Sequence, residues 1–172
     1  MNNQSLTFPQ AIQATRSLIN KIDQKKITET EIEQKVSAIV NTKNGARGFF
    51  VAYLTSDMPL ADSPSIGVIN GLKAHIQLVS ELLVKNLAMS SAMTISHSRN
   101  NDLSNARGSH KVCQRTGNLI QNIDLNITKQ ELKKLQATIL ENKEDYKDFM
   151  ERWDYDLEQQ QAIVKTISGI LL

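Results

Sequence analysis

Apolar residues crowd most densely between residues 66 and 95. Ile66, Val68, Ile69, Leu72, Ile76, Val79, Leu82, Leu83, Leu87 and Ile95 stand among others that together cover most of a helical circumference. Only Gln77, Glu81 and Lys85 leave a polar strip. A helix apolar nearly all round has neighbours on several sides. Ser63 and Pro64 supply a start signal. The pattern predicts a buried central helix over about 63–96, around which the rest of the chain gathers.

Upstream, Thr7 and Gln10 have the spacing of a capping box, with Pro9 in the first turn. Ile12, Thr15, Leu18, Ile19 and Ile22 then fall on one helical face. Thr28 and Glu31 repeat the box ahead of a stripe of Ile32, Val36, Ile39 and Val40. Asn44-Gly45 reads as its terminator. Residues 47–55 are short, continuous and aromatic, which periodicity alone leaves between strand and helix. No second β-branched run is present to pair with a strand, so a short helix is expected. It should turn Phe49, Phe50, Tyr53 and Leu54 inward.

Downstream, 98–104 is polar and rich in Asn, a natural break. Ala106, Val112, Cys113, Thr116, Leu119, Ile120 and Ile123 mark a helix over 105–123. Gly108 and Gly117 weaken it by about 1 kcal/mol each against Ala. Thr128 and Glu131 form a third box. Leu132, Leu135, Ile139, Tyr146, Phe149 and Trp153 follow steps of three and four, with Asn142 in one seam position. One straight helix over 128–172 would be roughly 65 Å long, against a radius of gyration of about 15–16 Å for a compact chain of this size. It must break near 151–161, or protrude and pair with a second copy. Ala88, Ser91 and Ala92 invite a close helix approach. The two aromatic groups, Phe49/Phe50/Tyr53 and Tyr146/Phe149/Trp153/Tyr155, are expected to share a core. The fold class is therefore all-α: a bundle of five to six helices around the central one, in a single domain over 1–172 with a long C-terminal helical segment.

Composition narrows this little. A hydrophobic fraction of 40% and a charged fraction of 22% mean a globular chain. A net charge of +2 selects no partner class. The one cysteine, Cys113, excludes an internal disulfide and suits a reducing compartment. The first residues lack a secretory pattern, and Glu81 and Lys85 interrupt the longest apolar run, so a cytoplasmic protein without a membrane span is expected.

Candidate chemistry lies in 97–116. Arg107, Lys111 and Arg115 at i, i+4 and i+8 make a basic ridge, with Arg99, His97 and His110 nearby. Such a ridge suits phosphate on a small ligand or a nucleic acid; the plainer reading is a solvated helix face. One Cys and three His in the whole chain make no metal-ligand set, and no metal or cofactor is expected. His110 and Cys113 could be read as base and nucleophile in an enzyme using His97, His110 or Cys113. Nothing orients the base, and Cys113 reads as a packed apolar side chain. His75, in the central helix, reads as a satisfied boundary residue. These features predict a non-enzymatic helical interaction or regulatory protein. A protein partner, or a second copy, would dock through the C-terminal segment; phosphate-ligand or nucleic-acid binding by the ridge is the alternative.

Overall fold

The computed structural model describes residues 5–123 and 126–172, so the first four, read above for a targeting signal, lie outside. The described residues are all-α: nine α-helices and one 3-10 turn, with no strand. None of these helices is long and apolar enough to cross a membrane. The helices form two compact units, divided between Leu82 and Leu83.

In the first unit, α1 (Phe8–Asp23) and α2 (Glu29–Ile39) start at the expected capping boxes. Gln10 Oε1 accepts from the Thr7 N–H at 2.9 Å, and Glu31 Oε2 accepts from the Thr28 N–H at 2.9 Å. The Asn44-Gly45 terminator is corrected: α2 ends at Ile39, and both residues open α3 (Lys43–Leu54). Thr42 caps that helix, its hydroxyl accepting from the Gly45 N–H at 3.1 Å. No glycine here has the positive φ that a C-terminal signal needs. The aromatic stretch is helical, with Phe49, Phe50, Tyr53 and Leu54 buried as predicted. Phe49 and Tyr53 stack at 5.2 Å, and the Tyr53 hydroxyl donates to Leu60 O in the Pro59–Ala61 turn.

The predicted rod over 63–96 is two helices, α4 (Ile66–Lys73) and α5 (Ile76–Arg99). Ser65, two residues later than expected, is the cap. The break is a tightened turn in which the His75 N–H donates to Leu72 O. α2 holds the first of the two helices in place. Glu29 of α2 accepts from the Gly67 N–H at 2.6 Å, and Glu33 accepts from Asn70 at 3.3 Å. Gly67 and Gly71, four apart, let α4 settle on α2; a Cβ on Gly71 would stand 2.6 Å from that of Val36. Gly48 does the same for α3 on α1, where an added Cβ would be 2.6 Å from that of Ala11. Apolar residues on both sides of 74–75 hide this break from periodicity. α5 runs to Arg99, past its expected fraying point at Ser96.

The second unit holds the rest of α5, with α6 (Leu103–Ile123), α7 (Asn126–Glu141), α8 (Lys147–Trp153) and α9 (Leu157–Leu171). The Asn-rich break falls at 100–102, with Asn101 left-handed at φ 57°. Asp102 then caps α6, accepting from the Asn105 N–H at 3.1 Å. The long C-terminal pattern is three helices, interrupted at left-handed Asn142 (φ 55°) and Asp154 (φ 46°). Asn and Asp visit that region more readily than other side chains. Thr128 is no cap but a buried residue of α7. The Glu131 carboxylate turns instead to Lys134 and to Tyr146. Of the expected seam, Leu132, Leu135 and Tyr146 are buried, Ile139 and Phe149 are half-buried and Trp153 is exposed. The buried three are not free for a second copy.

Ala88 and Ala92 are buried, and α9 meets α5 where those small residues invited it. Ser91 Oγ lies 3.2 Å from Thr166 Oγ1, and Gln159 Nε2 donates to Ala92 O at 3.2 Å. The two aromatic groups belong to different units. The second forms its own chain of rings, Tyr146–Phe149 at 6.4 Å, Phe149–Tyr155 at 6.3 Å and Tyr155–Trp153 at 6.5 Å.

Candidate functional site

The residues singled out in 97–116 lie on the end of α5, the following turn and α6, and the structure sorts them into five environments. Arg99 is held by α9: it donates to Glu158 Oε2 from Nε at 3.0 Å and to Asp156 Oδ1 from Nη2 at 3.2 Å. That contact raises the Arg99 guanidinium above its ordinary value and holds Asp156 down to about 2. Both acids sit at the start of α9, where the helix dipole also favours negative charge. Arg99 fastens two helices, and its charge is already matched.

His97 is half-buried and belongs to the turn, its Nδ1 3.9 Å from Asp102 Oδ2. Hydrogen bonds from Asn105 hold the Asp102 carboxyl below its usual range, with His97 adding to the effect. Arg115 is buried at 2% exposure, so the three-residue ridge does not exist as a surface. The reason is helical drift. Each step of four advances about 40° beyond a full turn, so two steps carry position 115 about 80° round toward the core.

Arg107, His110 and Lys111 stay together. With Thr94, Ser98, Leu103, Ala106 and Gln114 they line a groove of about 500 Å³ between the end of α5 and the start of α6. Arg107 and His110 are exposed and Lys111 is half-buried. Leu103 is 61% exposed, and no carboxylate is among the lining residues. A basic rim over an exposed leucine and an alanine was not legible in the ridge alone, because Leu103 sits before the stretch where the apolar periodicity of α6 begins.

Thr94, His110 and Gln114 also border a hollow of about 480 Å³ lined by α5, α6 and α9, with Cys113 in its wall. Burial pushes the Cys113 thiol up, against the pull of hydrogen bonds with Ser90 and Thr166. A thiol kept protonated is a weak nucleophile. Sequence reasoning missed Lys165, which lines this hollow from α9. The available signal was the small residues at 91, 117 and 162, which leave space when their helices face one another. In the first unit, His75 is half-buried with its Nε2 3.4 Å from Ser37 Oγ, beside a polar hollow that includes Glu33 and Asn41. Among the described residues, no three His, Cys, Asp or Glu side chains gather as a metal site would require.

A sequence profile for one protein family, described as Uncharacterised conserved protein UCP020893, matches residues 7–170. No curated protein and no solved structure matches the chain.

Proposed function

The chain belongs to that family, and from the geometry above we propose that it is a non-enzymatic interaction protein whose α5–α6 groove takes an acidic, amphipathic segment of a partner protein. The observation that carries this reading is the exposed Leu103 side chain beside Arg107, His110 and Lys111. Apolar contact with Leu103 and Ala106 supplies affinity, and the basic side chains steer an acidic face and set its register. A groove between two helices suits a helical segment with anchors three or four residues apart. The protonated Cys113 thiol favours binding over nucleophilic chemistry. A reducing, cytoplasmic setting suits such a thiol.

The test is fluorescence anisotropy with a labelled, glutamate-rich helical peptide carrying leucines at i and i+4. Binding should weaken as salt rises. Arg107→Glu combined with Lys111→Glu should abolish it, and Leu103→Ser should weaken it. Absence of binding at low ionic strength defeats the reading. The same basic side chains fit phosphates, so an RNA duplex is titrated in parallel. Duplex binding that depends on Arg107 and ignores Leu103→Ser would replace the protein partner with a nucleic acid.

A further inference from the structure

The hollow lined by α5, α6 and α9 exists because small residues meet there: Ser91 on α5, Gly117 on α6 and Ala162 on α9. Its polar atoms are largely occupied with one another. Ser91 Oγ lies 3.2 Å from Thr166 Oγ1, and Ser90 Oγ donates to Asn86 O at 2.7 Å. The surface left over is mostly apolar, with Ile95 and Ile170 half-buried in its wall and Leu87 buried behind it. Ordered water needs two to four polar partners, and such walls offer few. An apolar occupant is the better match.

Gly117 adds a second, independent observation. A Cβ built there would meet Ile170 Cδ1 at 3.5 Å, an ordinary contact. Packing does not require glycine at this position, although glycine weakens a helix interior. What the missing side chain does is leave the hollow open. The charged side chain bordering it is a cation, Lys165, which is exposed as is His110, and no carboxylate is among the lining residues.

We propose that this hollow binds a small amphiphilic anion, with a compact apolar body against Ile95 and Ile170 and its acid group at Lys165 and His110. The volume of about 480 Å³ falls within the range of small-molecule sites. The hollow shares Thr94, His110 and Gln114 with the partner-binding groove, but it also uses Gly117 and Lys165, which the groove lacks, and does not use Leu103 or Arg107.

The experiment is a fluorescence titration of the full chain with anilinonaphthalene sulfonate, an aryl body carrying a sulfonate. The expected result is saturable binding at one site, displaced by octanoate. Lys165→Glu, on an exposed side chain that leaves the fold intact, should weaken binding by about tenfold or more, the effect of one lost charge contact at a ligand head. Gly117→Phe should abolish it, with circular dichroism and melting confirming a folded variant. Emission that fails to saturate overturns the proposal, as does parent-like binding by Lys165→Glu. Because Gly117→Phe leaves Leu103 and Arg107 in place, peptide capture by the groove should survive it, so failure of one proposal is told apart from failure of the other.

Discussion

The Tyr146 hydroxyl donates to Glu131 Oε2 at 2.6 Å, and both residues are buried. Burial alone would push the Glu131 carboxyl up, but hydrogen bonds from Lys134 and Tyr146 outweigh it and hold the group below its usual range. The bond ties the segment before α8 to the middle of α7. Thr138 completes the joint, its hydroxyl accepting from the Tyr146 N–H at 3.2 Å. Tyr146→Phe should therefore lower stability by about 1–3 kcal/mol, the cost of leaving a buried acceptor short of a partner. Urea unfolding followed by circular dichroism measures it as a lower midpoint at unchanged slope.

Gly71 and Gly108 should respond oppositely to alanine. At Gly71 the new methyl would collide with Val36 and with the Glu33 carbonyl, so Gly71→Ala should cost about 1–3 kcal/mol through overpacking. At Gly108 nothing lies within 4 Å of the added carbon, so Gly108→Ala should stabilise by about 0.5–1 kcal/mol. Thermal melts of the two variants against the parent give the comparison.

Arg99 and Asp156 make acid stability a test of the α5–α9 clamp. The folded Asp156 carboxyl lies at about 2, below its ordinary 3.8. Its pairing therefore stabilises the folded protein above that ordinary value and is lost as pH falls through about 2. Arg99→Gln should melt below the parent at neutral pH. The gap should close between pH 3.8 and about 2. A gap that persists at lower pH would show that Arg99 acts by packing rather than charge.

Cys113 should react slowly with iodoacetamide in the native protein and quickly once the chain is unfolded. Burial holds the thiol protonated, and only the thiolate attacks. Mass spectrometry of timed reactions at mildly alkaline pH reads the ratio. A native rate equal to the unfolded one would reopen the nucleophile reading.

What could be read from the chain was local. The Thr7 and Thr28 boxes appear as written because both partners lie within four residues and no distant contact competes. The helix over 47–55 followed from elimination, since no run was available to pair with a strand. The break at 74–75 was invisible because apolar residues flank it on both sides, and the partners that hold α4 at Gly67 and Asn70, Glu29 and Glu33 of α2, lie far away in sequence. The Thr128–Glu131 box has the right spacing and fails because Glu131 finds Tyr146 fifteen positions on. At the candidate site, Arg107, His110 and Lys111 are adjacent as expected. The fates of Arg99 and Arg115 depended on carboxylates of α9 and on which way α6 faces its core. Charge spacing alone carries neither.

Asn142 and Asp154 also expose an evolutionary liability. Between them they stop a run of good helix formers from joining into one rod. β-Branched replacements at both positions would penalise the left-handed turns and reward continuity. A straightened tail could no longer fold back on its own chain, and Leu132 and Leu135 would have to find cover on another molecule. Exchange of tails between copies is a hazard of hinges altered in this way. Two polar residues thus keep three short helices from fusing into one long, exchangeable arm.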